Sequence, residues 1–321
     1  MNKSLSLGVK LAIFAVLAVA FGATVIALSV RGRNGNRYEQ TSQWDETNAI
    51  DRSFTVKPGD NFVLDADAGD VRVTGIDGEE LKIHVTQRGD NDVMRKYHVS
   101  IDQAGNTVTV RGKFEKRFFR FWNDSHWEVR YEVQVPKKFN VDLQTSGGNL
   151  VVRSVAGNIL GETSGGDLDI EDLEGTIKLS TSGGDVGMVK CTGEMDLETS
   201  GGNIVGESLN GSMHVETSGG NIGIRDADGK LFASTSGGNI RAELKDNKGI
   251  DLSTSGGNIT VLLPKAITAD VRAESTGGDV SCEFPFEGKM KDESLHGKIN
   301  GGGKQIMLES SGGSIAINTV E

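Results

Sequence analysis

Apolar residues occupy every second position through most of the chain, in runs of two or three, and the runs recur on a fixed period. Alignment on a recurring threonine places Val141 and Leu143, Ile177 and Leu179, Met195 and Leu197, Met213 and Val215, and Ile250 and Leu252 four and two residues before it. Five and seven residues after it stand Leu150 and Val152, Leu168 and Ile170, Val186 and Met188, Ile222 and Ile224, and Ile259 and Val261. A period of two puts alternate side chains on one side of a strand, so these columns predict two short strands per repeat that share a buried side. A further inward column, ten after the threonine, holds Val155, Leu173, Cys191, Leu209 and Ala227.

Between the columns runs a polar phrase. TSGGNL begins at Thr145, TSGGDL at Thr163, TSGGDV at Thr181, and TSGGNI at Thr199, Thr217 and Thr235, each eighteen residues after the last. The register then loosens: TSGGNI at Thr254 comes one residue late, STGGDV at Ser275 three late, and SSGGSI at Ser310 follows a degenerate INGGGKQI around Asn300. A short fixed period is the signature of a stacked repeat architecture. The paired glycines, and Gly157, Gly175, Gly193, Gly211 and Gly229 twelve after each threonine, supply two sharp turns per repeat. The prediction is therefore an all-β, single-chain β-solenoid (β-helix) of about 18-residue coils, stacked in chain order at a strand spacing of about 4.8 Å. In each phrase the threonine caps an inward strand, the serine faces out and the glycines make the corner. The column Asn149, Asp167, Asp185, Asn203, Asn221, Asn239, Asn258 and Asp279 then satisfies corner backbone groups or stacks as a ladder. Cation binding, the other reading of that column, lacks the second glycine and the spaced Asp of calcium-binding repeats.

The amino terminus carries a different pattern. Residues 11–30, LAIFAVLAVAFGATVIALSV, are apolar, free of charge and long enough to cross a hydrocarbon core of about 30 Å as one transmembrane helix. A membrane anchor and a cleavable signal sequence, with AVA at 18–20 as its site, both fit, and either places the repeats outside the cytoplasm, in the cell envelope. Residues 1–10 are its flank, 31–55 read as a linker, 56–140 as degenerate β coils with an aromatic-rich cap, and 141–321 as regular solenoid repeats. In the degenerate part, Phe62 and Leu64, Val71 and Val73, and Ile76 fit the inward columns. A formal charge of −11, with no basic stripe, argues against nucleic acid as a partner.

Chemistry is sparse. The outward column just before the threonine offers Gln144, Glu162, Ser180, Glu198, Glu216, Ser234, Ser253 and Glu274. Glu198 and Glu216 would be neighbours, as in a carbohydrate-active lyase or hydrolase on a β-helix, or simply two members of a solvated acidic face. The five histidines show no metal-ligand spacing, the phrase TSGG lacks the lysine and helix of a phosphate-binding loop, and no cofactor is implied. His214 beside Glu216 lacks a nucleophile elbow. Cys191 and Cys282 fall in inward columns several coils apart, too far for a disulfide. Residues 112–133 gather Phe114, Phe118, Phe119, Phe121, Trp122, Trp127 and Tyr131 among Lys113, Lys116, Arg117 and Arg120. They read either as a hairpin covering the open end of the solenoid or as a contact for a membrane surface or partner.

The serial TSGG phrases followed by Asn or Asp and an aliphatic residue, preceded by AGDVRVTGID, resemble the bacterial putative-adhesin family, a domain of unknown function made of β-strand repeats. The resemblance covers roughly residues 60–320 and implies an envelope-associated solenoid with no catalytic residues to carry over. The expectation is a membrane-anchored binding or scaffolding surface, with an envelope glycan or protein as ligand. Candidate contacts are Glu162, Glu198, Glu216 and Glu274, together with Arg117, Phe118, Phe119, Arg120 and Trp122. Alternatives are the enzyme and an envelope-signalling accessory that self-associates through its solenoid edges, at the C-terminal edge near Ser310–Thr319.

Overall fold

The computed structural model describes residues 48–89, 91–115 and 127–320. The apolar run 11–30 and the candidate residues Arg117, Phe118, Phe119, Arg120 and Trp122 lie outside them. Among the described residues no helix is long and apolar enough to cross a membrane. Apart from one helical turn, α1 (Asn91–Met94), the structure is all β, a continuous hydrogen-bonded sheet of 25 strands wound upon itself.

Two faces enclose the core. The first is made by the segments that end at the threonines: β8 (Asn140–Thr145), the second halves of β9 (Leu150–Thr163) and β10 (Leu168–Thr181), then β12 (Thr192–Thr199), β14 (Asn210–Thr217), β16 (Leu231–Thr235) and β18 (Ile250–Thr254). The second is made by the segments that follow the phrase: the starts of β9 and β10, then β11 (Val186–Val189), β13 (Ile204–Glu207), β15 (Ile222–Ala227), β17 (Ile240–Leu244) and β19 (Ile259–Pro264). Neighbours run parallel and in register, Leu168 beside Val186 and Val186 beside Ile204. The inward columns from Val141 to Val261 are all buried, so like side chains lie over one another through the stack.

The corners show why the phrase repeats. Each threonine is itself buried, and its hydroxyl bridges two coils: Thr217 Oγ1 donates to Gly202 O at 2.9 Å and accepts from Gly220 N at 3.2 Å. The same pair of bonds recurs at Thr163, Thr181, Thr199, Thr235 and Thr254. The two glycines are not equivalent. A Cβ on Gly202 would lie 1.9 Å from Gly184 O, whereas one on Gly201 would approach nothing closer than 3.6 Å. Only the second glycine lets stacked corners touch backbone to backbone. The Asn/Asp column forms an unbroken ladder in which each side-chain oxygen accepts the next coil's amide, from Asp167 N on Asn149 Oδ1 at 2.8 Å to Asn258 N on Asn239 Oδ1 at 2.8 Å.

The other turn uses its predicted glycines, Gly157, Gly175, Gly193 and Gly211 having φ between 126° and 158°. It also has a left-handed position that the sequence pattern does not reveal, nine after the threonine, filled by Ser154, Asp172, Lys190, Ser208 and Asp226, with φ between 53° and 58°. Short polar side chains tolerate that conformation. Ser208 Oγ also donates to Asp226 Oδ2 across the coils at 2.8 Å.

At both ends the stacking leaves chain order, correcting the expected sequential solenoid. The last coil, β24 (Lys304–Ser310) and β25 (Ile315–Val320), is inserted between the coil of β18 and β19 and that of β20 (Ala269–Ser275) and β21 (Val280–Cys282). Ser310 thus lies between Thr254 and Ser275. In the segment 310–319, expected to be a free edge, Ser310 and Ile315–Ile317 are paired on both sides. Asn247, 7 % exposed, clasps the insertion: its Nδ2 donates to Thr268 O at 3.0 Å and to Lys304 O at 2.7 Å. Asn300 Nδ2 does likewise to Lys265 O at 3.1 Å and Ile267 O at 2.7 Å.

The amino-terminal end mirrors this arrangement. The first coil, β2 (Asn61–Ala66) and β3 (Asp70–Ile76), is held between β8 and β9 on one side and β6 (Thr107–Phe114) and β7 (Trp127–Pro136) on the other. Phe62, Leu64, Val71 and Val73 are buried as read, but β3 runs straight through Ile76, which is half-buried. Among the described residues, the two arms of the segment 112–133 do not pair as the predicted hairpin. β6 pairs with β2 and antiparallel β5 (Tyr97–Ala104), while β7 pairs with β3 and antiparallel β4 (Glu80–Gly89) on the opposite face. Residues 48–55, read as linker, form β1 along the edge of β4.

Candidate functional site

The outward side of the first face carries the predicted carboxylates. Glu162, Ser180, Glu198, Glu216 and Ser234 stand on successive strands, and Glu198 lies directly beside Glu216. Two strands of a parallel sheet keep such residues one spacing apart, about 4.8 Å. Between the columns a polar chain crosses the coils. Lys178 Nζ meets Asp196 Oδ2 at 2.9 Å, His214 reaches Asp196 at 3.4 Å and Glu216 Oε1 at 3.2 Å, and Ser234 Oγ donates to the same oxygen at 3.3 Å. Asp196 in turn holds the Lys178 ammonium above its ordinary value. Phe232 meets the His214 ring edge-on, centroids 4.7 Å apart. Burial, and then the nearby Glu162, raises the Asp142 carboxyl.

Glu274 does not join this group. The inserted coil puts Glu309 beside it, and its carboxylate is bound by Arg272 Nε at 3.1 Å and by His296 at 2.9 Å. The Arg272 bond lowers its pKa, His296 adding to the effect. His296 was not legible as its partner, because antiparallel β23 (Ser294–Ile299) brings it there from another part of the chain.

Concave surface lies at the ends of the stack. A groove of about 520 Å³ on the second face is lined by Asp51, Arg72, Lys82, His84, Glu132 and Gln134, among others, with His84 Nδ1 2.7 Å from Asp51. A shallower one of about 650 Å³ on the first face is lined by residues including Asp270, Arg272, Glu287, His296 and Lys298. Neither is lined by Glu162, Glu198 or Glu216.

The described part of the aromatic segment is structural. Tyr97, Phe114 and Trp127 pack ring to ring with centroids 4.8–5.2 Å apart. In this terminal coil the threonine column reads Ala66 and Gly112, and no hydroxyl can arise from it. Tyr97 supplies one instead: its OH donates to Ala68 O at 3.0 Å and accepts from Tyr131 OH at 2.6 Å. Burial drives both phenols far above their ordinary value. A Cβ on Gly112 would sit 2.0 Å from the Tyr131 hydroxyl, so glycine makes room for the pair. Both cysteines are free. Cys191 is buried, which pushes its thiol up to about 11, and Cys282 is half-buried.

Residues 59–318, which span the repeat, match one family model, that of Toastrack DUF4097. The chain belongs to this family. No curated protein matches the chain. Among solved structures, this Toastrack chain is similar to one from Bacteroides fragilis named as a putative adhesin, at 15 % identity and a TM-score of 0.42, covering 85 % of this chain and 98 % of that one. It is also similar to one from Parabacteroides distasonis named as a putative lipid binding protein, at 14 % identity and 0.40, covering 86 % and 98 %. A third, from Parabacteroides merdae and named as a putative adhesin, stands at 14 % and 0.37, covering 86 % and 97 %.

Proposed function

We propose that the protein is a membrane-anchored, extracytoplasmic binding or scaffolding surface of the cell envelope, its first face the contact area and residues 11–30 its anchor. The observation that carries this reading is the setting of Glu198 and Glu216. They lie on the outside of a broad regular sheet, Glu216 already engaged by His214 and Ser234, away from both grooves. Side chains fixed at a constant spacing on a rigid sheet suit recognition of an extended ligand, an envelope glycan or a protein. A glycan and matrix-protein array probed with the full chain in detergent micelles tests it. Binding that is lost in Glu198→Gln/Glu216→Gln, with folding intact by circular dichroism, supports the reading, and blank arrays overturn it.

One observation favours a second reading: adjacent, in-register carboxylates are what a glycan-cleaving enzyme on such a fold would use. Release of reducing ends from an envelope glycan, abolished by the same double substitution, would establish it.

A further inference from the structure

The outermost strand of the first face at the carboxy-terminal end is β22 (Phe286–Lys291), which pairs antiparallel with β23 and with no other strand among the described residues. It carries Met290, 43 % exposed, the large apolar side chain that stands out among the described residues. Phe286 lies opposite Ile299 and Met290 opposite Leu295, both core residues, so Phe286 and Met290 belong to the inward side of the sheet. Glu287 and Lys289 lie opposite Lys298 and His296, on the outward side.

An unpaired edge is a template for another strand, and lysines such as Lys289 and Lys291 normally blunt it. Against a second copy of the same strand they act differently. Antiparallel pairing about Gly288 sets Glu287 against Lys289 of the other copy and Phe286 against its Met290, each contact made twice by the two-fold axis. Pro285, which has no N–H to give, falls opposite Lys291 and ends the pairing. Gly288, at the axis, has no side chain to hold two backbones apart. Its φ of +156° and a would-be Cβ 2.3 Å from His296 O show that β22 also needs glycine there to lie against β23.

We propose that β22 is a homotypic interface, joining two copies edge to edge and antiparallel about Gly288 into one continuous sheet. The partner is a second copy of this chain, because both the charge pattern and the apolar pattern are complementary to themselves in that single register. This places self-association at β22 and not at 310–319, which the fold encloses. It does not depend on what the first face binds.

Sedimentation equilibrium of the full chain in density-matched detergent, across a concentration series, tests it. The wild-type chain forms dimers, and Glu287→Lys or Lys289→Glu alone weakens association about tenfold, by turning two opposite-charge pairs into like-charge pairs. The double variant E287K/K289E restores it to within about twofold of wild type, since the pairs are opposite again. A chain that stays monomeric throughout, single variants that associate like wild type, or a double variant that fails to recover would each overturn the proposal. Association through residues 11–30 is indifferent to the swap and would show itself by the second of these outcomes.

Discussion

From the coil of Thr163 to that of Thr235 each coil pairs with the coils just before and after it in the chain, and every coil is made of the same parts. The ends are built on another plan, in which the first coil is enclosed by the later coil of β6 and β7, and the last coil by the earlier coil of β20 and β21. The difference lies in what holds a layer. A middle layer is held by columns of aliphatic side chains, a threonine bridge and one rung of the Asn/Asp ladder. A terminal layer in simple chain order would keep only half of its neighbours and would fray, as solenoid ends do without caps. Tucking each terminal coil inside the next one gives it neighbours on both sides. What is left outermost is antiparallel β1 and β5 at one end, and at the other antiparallel β22 on the first face and short parallel β21 on the second.

Three experiments test this contrast. The largest effect is expected from ending the chain after Gly303. The lost coil contains Ile306, Leu308, Ile315 and Ile317, all fully buried and paired on both sides. Their burial accounts for roughly 6–12 kcal/mol, as much as a whole domain's stability. The truncated chain should lose the β circular dichroism of the intact one. A chain that kept a cooperative thermal transition would show that the inserted coil is dispensable.

Next comes the middle. Gly202→Ala should cost about 3 kcal/mol by overpacking against Gly184 O, while Gly201→Ala should stay within about 0.5 kcal/mol. Urea unfolding of the two variants side by side measures the gap, and equal midpoints would refute the close approach of stacked corners. The smallest effect is expected at the clasp. Asn247→Ala leaves Thr268 O and Lys304 O without their donor and should cost about 2 kcal/mol. Hydrogen exchange should quicken at 304–320 before it does in the coils around Thr199. Uniform quickening would mean that Asn247 holds no particular layer.

Much of the middle was legible because one physical pattern recurs in it often enough to align. The inward columns, the ladder and the buried cysteine all follow from period-two alternation read eighteen residues at a time. The left-handed turn was hidden because its residues, Ser154 through Asp226, share a backbone conformation and no side chain. Lys190 in particular gives no hint of it. The end topology was hidden for another reason. The extra residue before Thr254 makes room for the corner that carries Asn247, and the three extra before Ser275 let the chain step past an inserted coil. Spacing records that the period breaks, but not which layer the detour passes over. Of the candidate site, Glu162, Glu198 and Glu216 fell in the predicted column. Glu274 moved away from them, because its neighbours come from β23 and β24.

The interlocked ends have a bearing on how such a molecule can change in size. A duplication of eighteen residues anywhere between Thr145 and Thr235 would thicken the stack by one strand spacing, about 4.8 Å, and disturb neither clasp. A gain or loss at a terminus would have to rebuild an interlock. Stack length is therefore a quantity this architecture can adjust in fixed steps from its interior, with the fittings at either extremity left as they are.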